Sequence, residues 1–72
     1  MYERIRNLRE DNDMKQADLA KMLNCTQVCY SNYETGKRDI PTEVLIHLAD
    51  IYGTSVDYLL GRTSVKKPYP KK

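Results

Sequence analysis

Seventy-two residues, 40% of them hydrophobic and 31% charged, make one small folding unit with a modest core. That size leaves little room for an enclosed active site, and no apolar run approaches the ~20 residues of a membrane span. The net charge of +2 decides little: residues 1–62 hold eight Lys and Arg against ten Asp and Glu, and Lys66, Lys67, Lys71 and Lys72 supply the positive excess. The opening Met1-Tyr2-Glu3-Arg4-Ile5-Arg6 has no apolar h-region, so no secretory leader and a cytoplasmic location are expected.

The first helix is predicted over residues 2–12. Ile5 and Leu8 lie three apart on one stripe with Met1 and Asn12, and Glu3, Arg4, Arg6 and Arg9 occupy the other faces. The polar cluster Asp11-Asn12-Asp13 ends it, and Met14 follows as a buried plug. A second helix covers 16–23, with Ala17, Leu19, Ala20, Met22 and Leu23 as its apolar positions. Asn24 ends it, since asparagine tolerates the left-handed conformation a helix terminus requires.

Thr26 is a good N-cap for a third helix over 27–35. Tyr30 and Tyr33, three apart, should face inward, leaving Gln27, Val28, Ser31 and Asn32 outward or at the edge. Gly36 closes this helix. Glu34 sits in the last turn, at the wrong end of the helix dipole for an anion, so it needs a cation partner. After the charged loop Lys37-Arg38-Asp39, with Ile40 and Pro41 anchoring its far end, Thr42 is expected to cap a fourth helix. Its apolar face runs through Val44, Leu45, Leu48, Ala49, Ile51 and Tyr52, with Ile46 off that face. Gly53 stops it, Ser55 caps a short fifth helix over 56–60, and Gly61 closes the set. The fold class is therefore all-α, a compact five-helix bundle over residues 1–62. A basic tail over 63–72 carries no periodicity and is expected to be disordered.

Cys25 and Cys29 are four apart and share a face if helical. Two cysteines make no disulfide framework, and with His47 alone they fall short of a four-ligand metal site, so small buried or half-buried free thiols, no metal and no cofactor are expected, with a redox or metal sensor as the lesser alternative. No nucleophile–base pair, no carboxylate pair beside a histidine and no glycine-rich phosphate loop is present, so an enzyme is not expected.

An outward helix bearing small polar groups has a definite chemistry. Gln27 and Asn32 each offer a donor and an acceptor from one amide, as a bidentate contact to adenine requires. Val28 can pack on a thymine methyl. All three share the outer N-terminal side through which a helix meets base edges in a major groove. Gln16, at the start of the second helix, is placed to meet a phosphate, and Lys37 and Arg38 to hold the backbone of the opposite strand. Each has a plainer reading. Gln27 and Asn32 can be solvated surface residues, and Lys37 and Arg38 a complement to a helix C-terminus. An Arg9–Glu34 pair can be a loose surface contact worth under ~1 kcal/mol.

Residues 2–61 resemble the Cro/C1-type helix-turn-helix domain (the XRE family) of phage repressors and bacterial regulators. The likeness is carried by Gln16-Ala17-Asp18-Leu19-Ala20, Asn24-Cys25-Thr26, Tyr33-Glu34-Thr35-Gly36-Lys37 and Gly53-Thr54-Ser55-Val56-Asp57-Tyr58-Leu59-Leu60, in order and at the right spacing. It implies a dimeric repressor that reads a near-palindromic operator in double-stranded DNA through its third helix. By position, Gln16 resembles the family's phosphate-binding glutamine, and Gln27, Val28 and Asn32 take its base-reading places. Arg9 matches an arginine that pairs with the equivalent of Glu34. Three positions depart from the pattern: Asn24 for a turn glycine, Cys25 for an apolar turn residue, and Tyr30 for a core Ile or Val. A tyrosine at that core position must bring its hydroxyl to an edge or give it a partner. An alternative use of the same fold is an antitoxin or adaptor acting through a protein partner, with Ile46, Val56 and Tyr58 as its surface.

Overall fold

The computed structural model describes residues 2–68. All regular structure among them is helical: α1 Glu3–Asp11, α2 Gln16–Met22, α3 Gln27–Thr35, α4 Thr42–Tyr52 and α5 Val56–Leu59. Met1, expected on the inward stripe of α1, and the tail residues Lys71 and Lys72 lie outside the described residues.

The turns follow from the residues that occupy them. Asn24 adopts φ 57°, which lets the Cys25 N–H donate to the Ala20 carbonyl (2.9 Å) and the Asn24 N–H to that of Lys21 (3.2 Å). These bonds satisfy the free carbonyls at the end of α2 and reverse the chain. Asp13, at φ 54°, ends α1 by the same device, with Met14 N–H on the Arg9 carbonyl (3.0 Å). Thr26 is the N-cap of α3, its hydroxyl accepting from Cys29 N–H at 3.1 Å. At the start of α2, the Asp18 carboxylate accepts from Lys15 N–H (2.9 Å) and caps the first turn.

One core residue set holds the helices together: Ile5 and Leu8 of α1, Leu19 and Ala20 of α2, Tyr30 and Tyr33 of α3, Leu48 and Ala49 of α4, and Leu59 of α5. α2 packs most extensively on α3, α4 on α5, and α1 bridges α3 and α5. Met14, Leu23, Val44, Leu45, Ile51 and Tyr52 fill the margin, and Ile46 stands exposed, as its position off the apolar stripe implies.

Four expectations need correction. Pro41, not Thr42, is the N-cap of α4; Thr42 is already helical, so its hydroxyl cannot serve the free N–H groups ahead of it. Met22 is 45% exposed and Ala17 is exposed. With α2 only seven residues long, Leu19, Ala20 and Leu23 suffice to cover its inner side. Tyr30 is fully buried, and its hydroxyl reaches no edge. Met14 is half-buried rather than a buried plug.

Residues 63–68 carry no helix, but two bonds tie this stretch to the body. Arg4 donates to the Thr63 carbonyl, and the Thr54 hydroxyl to the Lys66 carbonyl. The Arg4 guanidinium lies 4.2 Å from the centroid of the Tyr58 ring and also donates to the Tyr58 carbonyl (3.0 Å), so it joins α1, α5 and the chain beyond.

Candidate nucleic-acid interface

α2 and α3 are short helices joined by four residues, Leu23 to Thr26, and they lock together through Leu19, Ala20 and Tyr30. With Tyr30 and Tyr33 turned inward, the opposite side of α3 must face solvent. Gln27 and Val28 are exposed there, and Ser31 and Asn32 are half-buried. Val28 is 71% exposed, so it adds nothing to the core and is free to touch another molecule. Gln16, Gln27, Val28, Ser31 and Asn32 line one shallow depression of ≈ 270 Å³. The fold therefore brings Gln16 of α2 to the α3 residues singled out for base contact, and adds Ser31 to them.

Lys37 and Arg38 are exposed beyond the C-terminus of α3 and do not line that depression. The Arg38 N–H donates to the Asn32 carbonyl at 3.2 Å, which holds the loop against the last turn of the helix. Arg38 borders a separate hollow with Tyr2, Tyr33, Gly36, Asp39 and Ile40.

Behind the exposed face lies a buried carboxylate. The Glu34 side chain is 0% exposed, and Arg9 meets it as a two-pronged fork, Nε to Oε2 at 2.9 Å and Nη2 to Oε1 at 2.8 Å. Such bidentate, charge-assisted pairs are the strong ones. The third Arg9 nitrogen donates to the Met14 carbonyl (3.0 Å), so one side chain joins α1, the α1–α2 loop and α3. Arg6, one turn earlier on α1, adds a longer contact of 3.3 Å. The Gln16 amide donates to Glu34 Oε1 at 3.4 Å. Gln16 thus stands between the buried charge and the outer depression. The loose surface pair that the sequence left open is not what the fold contains.

Burial by itself would raise the Glu34 carboxyl. Hydrogen bonding and charge from Arg9, with the Gln16 amide, outweigh it and bring the group down to about 2. The same contact raises Arg9. The Tyr30 and Tyr52 hydroxyls are both buried, and neither makes a hydrogen bond of ordinary geometry among the described residues. Both lie in the field of the Glu34 carboxylate. Burial is the main cause that pushes Tyr30 far above the usual phenol range and Tyr52 up to about 12, and the Glu34 carboxylate adds to both.

Sequence reasoning placed Ser31 outward but gave it no contact, and it missed Arg6 as a second donor to Glu34, Tyr52 beside Tyr30, and the Arg4 clamp. The Arg6 signal was present: residues three apart share a helix face, so an arginine one turn before Arg9 points the same way. No local signal marked Tyr52 or Arg4, whose partners come from distant segments. Among the described residues no cluster of three or more His, Cys, Asp or Glu could hold a metal ion, and no helix is long and apolar enough to cross a membrane.

The transcriptional regulator ImmR of Bacillus subtilis (strain 168) is 38% identical over 64 residues, covering 89% of this chain and 50% of that protein. The regulator AnsR of the same organism is 33% identical over 69 residues, covering 96% of this chain and 60% of that protein. The chain therefore spans about half to three-fifths of the length of these curated relatives. Among solved structures, the P22 c2 repressor protein in complex with synthetic operator 9T superimposes with a TM-score of 0.73 at 36% identity, covering 81% of this chain and 88% of that one. The family described as helix-turn-helix matches residues 5–59, more than half of the chain and spanning all the core residues above, so the chain belongs to the helix-turn-helix family, of the Cro/C1 type.

Proposed function

We propose that this chain is a sequence-specific DNA-binding transcriptional regulator that acts as a dimeric repressor on a near-palindromic operator. The observation that carries the reading is the depression that gathers Gln16, Gln27, Val28, Ser31 and Asn32 on the open side of α3. Two side-chain amides there can each hold an adenine edge by paired hydrogen bonds, and Val28 offers an apolar contact to a thymine methyl. Gln16 meets the backbone phosphate beside them. Lys37 and Arg38, away from the depression, hold phosphates further along the duplex, and such contacts position the protein without reading sequence. Arg9–Glu34 keeps α3 at its angle to α1. The likeness to a repressor solved on an operator adds support. The DNA-binding domain is residues 1–62, and the site of action is the cytoplasm.

Two-fold pairing is the natural way for so small a reading head to gain affinity. The surface of α4 and α5 supports it: Ile46 is 51% exposed and borders an apolar groove with Ala49 and Val56. The same groove could seat a different protein, as an antitoxin or adaptor requires, and co-purification of a stable hetero-complex from the native cell would favour that use.

Selection from random duplexes, followed by gel shift with wild type and Asn32→Ala, tests the proposal. A palindrome with half-sites about 34 Å apart, lost in the variant, is expected. Equal, weak binding of both proteins to every duplex would remove sequence-specific reading.

A further inference from the structure

Beyond α5 the chain is held against the body at successive points. Gly61, at φ 77°, turns it out of the helix, and the Arg62 N–H donates back to the Asp57 carbonyl at 2.9 Å. Arg4 of α1 donates to the Thr63 carbonyl while its guanidinium lies over the Tyr58 ring. Three residues on, the Thr54 hydroxyl donates to the Lys66 carbonyl. Pro68 then borders the groove of Ile46, Ala49 and Val56. Residues 63–68 thus form a strap that runs from Arg4 to the groove between α4 and α5.

The body fixes where the strap lies. Thr54 is 4% exposed, and its N–H donates to the Ala49 carbonyl (2.9 Å) just past α4, so its hydroxyl stands in a set place. Ser55 beside it caps α5. Both side-chain ties end on backbone carbonyls of the strap, whose own side chains from Ser64 to Pro68 stay exposed. Asp50 and Asp57, which also border the groove, are opposite in charge to Lys66 and Lys67. A hold made of a few hydrogen bonds with little apolar burial is weak enough for another occupant to displace. None of these groups lines the depression on α3.

We propose that residues 63–68 are an autoinhibitory strap: seated at the α4–α5 groove, they compete with a second copy of this chain for that face and so set how readily the dimer forms. The inference rests on the pairing through α4 and α5 proposed above. A two-fold interface uses the same patch of both copies, so two straps leave their grooves for each dimer formed. The strap's hold therefore enters the association constant twice. Loosening it about threefold, the effect of one modest hydrogen bond, tightens pairing by about tenfold.

The test uses the full chain and two variants that leave the α4 and α5 walls of the groove intact. Arg4→Met keeps an apolar stem over Tyr58 but frees the Thr63 carbonyl, and Pro68→Asp sets a like charge beside Asp50 and Asp57. Seating of the strap is read in dilute protein as the rate of trypsin cleavage after Arg62, which is expected to be about threefold faster in both variants than in wild type. Pairing is read by sedimentation equilibrium. Both variants are expected to associate about tenfold more tightly, and Ile46→Asp added to either should abolish association. Should Arg4→Met fail to fold, Pro68→Asp, at an exposed position, carries the test alone. Equal cleavage in wild type and variants overturns the strap. Faster cleavage with unchanged association overturns the competition, and so does weaker association, which would make the strap part of the interface. Association that survives Ile46→Asp, or none by any of the proteins, means that pairing through the groove has itself failed; the competition falls with it, and the cleavage rates separately show whether the strap is seated.

Discussion

Glu34 and Asn32 stand two residues apart on α3, and the helix gives them opposite surroundings. The Glu34 carboxylate is sealed from water and receives Arg9, Arg6 and Gln16. Asn32 borders an open depression beside Gln16, Gln27 and Val28. Both are polar, yet one is saturated by its own chain and the other is left for a partner. A buried charge without its partner is costly, so Glu34 bears on whether α3 is held at all. A half-exposed amide costs the fold little when removed, so Asn32 is open to the role in recognition proposed for it. Gln16 touches both regions, and through it the held side of the helix is joined to the open side.

That contrast breaks most readily on its buried side. Glu34→Ala leaves the Arg9 guanidinium, 14% exposed, without its carboxylate. The expected loss is about 3 kcal/mol or more, enough to unfold much of so small a domain, read as helical signal against urea. Acid probes the same group without mutation. Its folded value of about 2 lies below the ordinary 4.5, so its contribution is fully present above about pH 5. It is lost as pH falls through 4.5 towards 2, a decline on the order of 3 kcal/mol. Urea titrations across that range should show it, and Glu34→Gln should flatten the slope. An unchanged slope would mean that other carboxylates govern acid unfolding.

On the reading side, Asn32→Ala is expected to weaken operator binding by ~1–3 kcal/mol while stability stays within about 0.5 kcal/mol. A variant that unfolds as readily as Glu34→Ala would erase the contrast. Tyr30→Phe removes a buried hydroxyl that makes no regular hydrogen bond, so stability is expected to hold or rise by up to about 1 kcal/mol. A loss larger than that would show that the hydroxyl bonds Glu34. The smallest expected effect is Lys37→Ala, which should weaken all duplexes alike and lower the salt slope by ~0.9, one phosphate contact. A change of sequence preference there would move Lys37 to the reading side.

Much of this was legible along the chain. Thr26 and Gly36 bracket α3 where its cap bond and left-handed turn are found, and the inward Tyr30 and Tyr33 leave Gln27, Val28 and Asn32 outside. Helix ends at Pro41 and Met22 were misjudged by a residue or an orientation, because a cap or a margin position depends on how much surface its neighbours already cover. Cys25 and Cys29 share a face only if both are helical, and Cys25 lies in the turn ahead of α3, which starts at Gln27.

The helices, their breaks and the outward side of α3 come from the residues alone, since caps, left-handed turns and apolar stripes are settled within one or two turns of chain. The surroundings of Glu34 do not. Arg9 and Gln16 lie 25 and 18 residues from it, and Tyr52 comes from another helix again. The packing of α1 and α2 on α3, with Tyr52 of α4 nearby, brings those groups to one carboxylate and buries the Tyr30 hydroxyl beside it. The same packing sets Gln16 among the residues of the open depression and leaves Lys37 and Arg38 outside it. Contacts between distant segments exist only once helix angles are set, and no local pattern encodes an angle.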